Sequence, residues 1–191
     1  LYSDFVVPYP PLLTLILAIL FKVFGYSILL VKLFTYALII TNDVLIFSIV
    51  KILSKRISSA YLALIFYIGI QSFLDGNMLW VDSAVVTPIL FAMYFYQKKR
   101  YWGLSIALLI ACLIKQTAGI YLLIFLVYFA IRNREELKKL FIVTIAGALF
   151  LTVFLLATNS FTAFLNWNLV FPFAFWSKFP GYVQFNLTNK D

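Results

Sequence analysis

Three short basic clusters divide this chain: Lys51, Lys55 and Arg56; Lys98, Lys99 and Arg100; and Arg132, Arg134, Lys138 and Lys139. The runs between them are almost pure hydrocarbon, with Asp75, Asp82 and Lys115 the only charges over 57–97 and 101–131. A water-soluble domain closes a polar shell around its apolar core. This chain is 64% hydrophobic and 19% aromatic over 191 residues, with a mean hydropathy of +1.03, so lipid is the expected solvent. The clusters hold ten of the fifteen Lys and Arg. The net charge of +8 therefore reads as cytoplasmic loops under the positive-inside rule, not as a nucleic-acid surface.

Other chemistries are limited by what the chain lacks. It has no histidine and one cysteine, Cys112, which excludes a disulfide framework, a histidine base or a Cys/His zinc site within these residues. Cys112 lies in a hydrophobic run and reads as a small packing residue. The sequence begins at Leu1 and ends in the polar stretch "FNLTNKD". It is expected to be an internal piece of a larger membrane protein, forming one domain.

If all three clusters face the cytoplasm, an even number of crossings separates them. Residues 57–97 supply two apolar runs, about 60–74 and 80–97, broken by the turn signal "LDGN". Residues 101–131 then make two short crossings broken at "KQTAG", each about 24 Å long and short of a hydrocarbon core of about 30 Å. That hairpin is expected to stop below the outer surface and floor a recess open to the outside. A span from about Ile28 to Lys51 precedes this region, and one from Lys139 to about Thr158 follows it. "LLTLILAILFKVFG" is too short to cross and reads as an external interfacial helix, with prolines at its start and Gly25 at its end. The expected fold is an all-α polytopic membrane helical bundle of about six spans plus that interfacial helix. Its parts are an external loop and interfacial helix over 1–27, spans over 28–158, and an external loop over 159–191.

This threading brings Asp4, Asp75, Asp82 and Lys115 to one side. Each is open to two readings. Asp82 suits a helix N-terminus, where the dipole favours an anion, or a site. If the helix extends back through "GNMLWVD", Asp75 and Asp82 share a face; otherwise Asp75 is a turn residue. Lys115 is a snorkelling anchor or an anion ligand. Lys22 and Lys32 are lesser candidates near the same interface. Asn42 and Asp43, deep in a span, are expected to bond between helices, and Glu135 and Glu136 to be solvated.

The stretch "YSDFVVPYPPLLTLILAILFKVFGYSILLVKL" resembles the end of the first external loop of GT-C superfamily membrane glycosyltransferases, where a Y-x-D-F … Y-P-P-L segment leads into a helix ending F-K-x-F-G. "DGNMLWVDSAVVTPILFAMYF" and "KKRYWGLSIALLIACLIKQTAG" look like the following helices, including a KQT turn. The similarity is to the dolichyl-phosphate-mannose protein mannosyltransferase and aminoarabinose transferase branch. It implies an enzyme that moves a sugar from a polyprenyl-phosphate carrier to a glycan, lipid or protein acceptor on the outer face, with inversion. The family's principal carboxylate lies upstream of the matching segment, so the main base is expected before Leu1; Asp4 matches the later aspartate of the pattern.

Transfer from a lipid phosphate needs a carboxylate to take the hydroxyl proton and a cation to hold the leaving phosphate. The expected catalytic residues are Asp4 and Asp82. The expected substrate-binding residues are Lys115 and Gln116 of the KQT turn, Tyr9 of the loop motif, and Asp75. No cofactor is evident, no metal ligands are assigned, and a divalent metal stays open. The alternative is a polytopic membrane transporter with an intramembrane polar site.

Overall fold

The computed structural model describes residues 8–74 and 79–174. They are helical, with no strand among the described residues. They fall into two compact units, one of the described residues of 11–148 and one of residues 8–10 with 149–174.

In the larger unit, α1 (Leu12–Phe24) starts after Pro11 and stops at Gly25, whose φ of 78° no side chain readily adopts. Ser27 then caps α2 (Ile28–Ser54) by accepting from the Leu29 amide. The helix ends at Lys55 in the left-handed conformation, and α3 (Ile57–Leu74) follows at once. α4 (Val81–Gln97) begins where the Trp80 amide donates to Ser83 Oγ. Leu79 and Trp80 are not helical, and the face that Asp75 would share with Asp82 lies outside the described residues. The turn into α5 (Tyr101–Ile114) is closed by a left-handed Lys99, with the Arg100 amide donating to Phe95 O at 2.9 Å.

α5 stops where the sequence led us to expect a break. Lys115 is extended (φ −144°, ψ 125°), Gln116–Ala118 form one 3₁₀ turn, and α6 (Gly119–Arg132) continues. α5 and α6 are antiparallel, because Tyr101 at the start of one packs edge-on against Phe129 near the end of the other, 5.5 Å between centroids. Asn133 caps α7 (Arg134–Ala157), its Oδ1 accepting from the Glu135 and Glu136 amides. Glu136 is corrected too. It is an ion-pair partner of Lys139 with only 12% of its side chain exposed, not a freely solvated group.

Two apolar clusters hold this unit. One gathers Leu104, Leu108, Phe125, Phe129 and Leu140 at the end carrying the basic turns. The other gathers Leu13, Ala84, Val85, Ala111 and Ile114 at the opposite end. α4 and α5 approach closely through small residues, with Ala84, Ala92, Ala107 and Ala111 all buried. α7 meets α5 at Gly147, where a Cβ would run into the Leu109 side chain.

The outer faces are apolar as well: Ile131 is 77% exposed and Ile65 67%. Ile28–Ser54 and Arg134–Ala157 are long and apolar enough to cross a bilayer. Only 17% and 22% of their most apolar windows are buried, unlike the core helix of a soluble domain. α5 and α6, at 14 residues each, measure about 21 Å.

In the smaller unit, the expected external loop contains helix. The chain leaves α7 through a left-handed Asn159, and α8 (Phe161–Leu165) follows. It runs through a π turn over Asn166–Val170 into a last turn, α9 (Phe171–Ala174).

Candidate functional site

Asp82 is in the first turn of α4, where backbone amides without intrahelical partners and the helix dipole favour a carboxylate. Lys115 is the residue at which α5 gives way to the 3₁₀ turn. Packing of α4 on α5 brings the two together, and the Lys115 ammonium donates to Asp82 Oδ1 in an ion pair. The lysine side chain is 19% exposed and the aspartate 61%, so the cation is the enclosed partner and the carboxylate the one facing out.

An open, apolar cavity of about 520 Å³ runs between α1, α2, α4 and α5. Ala84 and Ile114 line it next to Asp82 and Lys115, and Phe95 and Gly103 line its far end. From Ile114 to Gly103 is about 16 Å along the α5 axis. Leu13 of α1 and Phe34 of α2 complete the walls. Thr87 brings a polar group into this lining, and no hydrogen-bond partner reaches its buried hydroxyl among the described residues. Thr87 was not singled out from sequence. Its signal is the "TP" step within an apolar run, since Pro88 also removes one intrahelical donor.

Of the other sequence candidates, Gln116 sits in the 3₁₀ turn, half-buried next to Lys115. Tyr9 is half-buried in the smaller unit. Asp4 and Asp75 lie outside the described residues. Lys22 and Lys32 are exposed. Asn42 bonds between helices as expected, donating to Tyr67 Oη of α3 at 3.5 Å. No hydrogen-bond donor reaches Asn42 Oδ1 or Asp43 Oδ1 among the described residues. No group of three or more potential metal ligands from His, Cys, Asp and Glu converges among the described residues.

No family model matches the chain, and no curated protein or solved structure matches it.

Proposed function

We propose that this chain is part of a polytopic membrane glycosyltransferase that uses a polyprenyl-phosphate sugar, with its site on the outer face. The observation that carries the reading is the Asp82–Lys115 pair, whose chain neighbours Ala84 and Ile114 line a long apolar groove. A polyprenyl phosphate has matching chemistry: an anionic head for the ammonium and a branched hydrocarbon chain for the groove. The similarity of the KQT turn and of the Y-P-P-L segment to GT-C enzymes supports the same assignment. In this reading the helices beyond the two long ones also cross the bilayer, giving about six spans. A hairpin of α5 and α6 about 21 Å long is shorter than a hydrocarbon core of about 30 Å, so in this reading Lys115 lies at the floor of a recess that a carrier phosphate enters.

The chemistry follows from the two groups. An acceptor hydroxyl attacks the anomeric carbon from the face opposite the carrier oxygen. The bond from that carbon to oxygen breaks, and the phosphate leaves with the electron pair. Lys115 stabilises the charge gathering on the phosphate. Asp82, released from Lys115 as the phosphate takes its place, accepts the hydroxyl proton or orients the hydroxyl.

The test is release of undecaprenyl phosphate from mannosyl-, glucosyl- and aminoarabinosyl-undecaprenyl phosphate by the full-length protein in vesicles, with glycan, lipid and protein acceptors bearing free hydroxyls supplied outside. Asp82→Asn is expected to lower turnover at saturating donor while donor affinity holds or rises, since the phosphate no longer displaces a carboxylate from Lys115. Failure of all three donors with the parent protein would refute the reading.

A second reading, a transporter, draws on the buried Asn42 and Asp43 oxygens without donors. It predicts solute flux that Asp43→Asn abolishes and Lys115→Met leaves intact.

A further inference from the structure

The end of the larger unit opposite Lys115 gathers charge that no stretch of sequence shows by itself. The α4–α5 turn carries Lys98, Lys99 and Arg100, and the α6–α7 turn carries Arg132 and Arg134. Three contacts bring the two turns to one place. Tyr96 donates its hydroxyl proton to Tyr128 Oη at 2.8 Å, Tyr101 packs against Phe129, and Lys139 sits over the Tyr101 ring at 5.8 Å. Tyr128 and Arg132 are one helical turn apart, so the Tyr96–Tyr128 bond sets Arg132 close to the end of α4.

All five cations are exposed, and none pairs with a carboxylate among the described residues. The nearby acids are already engaged, Glu135 by Lys138 and Glu136 by Lys139. The left-handed Lys99 closes the first turn tightly, so neighbouring cations are splayed on a fixed backbone rather than a floppy loop. Bordering them is an apolar rim: Trp102 is 49% exposed, Ile131 77% and Phe141 48%. A cationic cap above exposed hydrocarbon suits an amphipathic anion. A nucleic acid or a free phosphate makes no use of the apolar rim.

We propose that this basic end binds the headgroup of an anionic phospholipid, whose phosphate lies across the two turns and whose acyl chains lie along α5 and α6. It rests on the membrane-spanning reading, not on glycosyl transfer. It is separate from the Lys115 pair, which belongs to the other end of the same helices.

The experiment uses the full-length protein in detergent with phosphatidylglycerol and phosphatidylcholine as competing probes, read by native mass spectrometry. Phosphatidylglycerol is expected to be retained in preference. Lys99→Gln, Arg100→Gln and Arg132→Gln are each expected to weaken retention about fivefold, and the triple variant about a hundredfold. Glycerol phosphate at the same concentration is expected not to displace the lipid. Brominated phosphatidylglycerol is expected to quench fluorescence that Trp102→Phe removes, a readout that needs no charge variant to fold. Equal retention of the two lipids, retention indifferent to the triple variant, or displacement by glycerol phosphate would overturn the proposal. Absence of transferase activity in the parent protein, with lipid retention intact, would count against the functional reading and leave this one standing.

Discussion

Lys115 and Asp82 are 33 residues apart in sequence and joined in the fold, the enclosed ammonium of one held by the outward carboxylate of the other. The contact exists because α4 and α5 run antiparallel with small residues between them. That packing aligns the first turn of one helix with the residue that follows the other.

The energetic consequence is a coupling between the two residues. Lys115→Met and Asp82→Asn are each expected to change stability. The double variant should differ from their sum by about 1 kcal/mol, modest because the carboxylate is mostly exposed. Detergent-solubilised thermal or chemical unfolding of the four proteins measures this. A coupling indistinguishable from zero would mean the pair is not held in solution.

The tyrosine pair at the other end offers a cleaner cycle. Tyr96→Phe and Tyr128→Phe each remove one hydroxyl from a 2.8 Å bond and little volume. Each is expected to cost about 1 kcal/mol, and the double variant no more than either single one. Additive losses in the same unfolding measurement would show that the two hydroxyls act independently.

Gly147 tests the α5–α7 contact. Gly147→Val places new atoms where the Leu109 side chain lies and is expected to destabilise by about 1–3 kcal/mol. Leu109→Ala in the same chain is expected to recover part of that loss. No recovery would place the damage somewhere other than this contact.

Much of this architecture is written in local residue choices, and the unread part has a physical reason. Pro11 and Gly25 mark the ends of α1, and the apolar run of 101–131 breaks at Lys115 as its polar interruption suggests. These are backbone signals, and they act over a few residues. The helix after Asn159 was not legible, because "FTAFLNWNLVFPFA" mixes aromatics with asparagines and shows no clear helical stripe. The expected run over about 80–97 agrees with α4 to within a residue, and its start is set by Ser83 turning back to Trp80, a local cap that hydropathy does not show. Topology brought Asp82 and Lys115 to one end. Their contact depends on the rotation of α4 against α5, which is a packing result that hydropathy does not encode. The union of the two basic turns is likewise tertiary.

Membrane threading predicts which positions share a side. In a Cys112→Ala background, cysteines at positions 55, 99 and 134 are expected to react only with reagent admitted to the cytoplasm, and cysteine at 117 only with reagent outside. Opposite labelling of 99 and 134 would turn the α5–α6 hairpin into a single crossing and contradict the six-span reading.

The central claim is that Lys115 meets a lipid phosphate, and direct binding of undecaprenyl phosphate tests it. The full-length protein in nanodiscs is titrated as parent, Lys115→Met and Lys115→Arg. A charge-assisted contact of about 2–3 kcal/mol predicts that the Met variant binds roughly 30- to 150-fold more weakly. The Arg variant should keep a fraction of the affinity, since it retains a cation with altered geometry. Equal affinity of parent and Met variant, with both folded, would contradict the account and leave Lys115 as an anchor at the membrane interface.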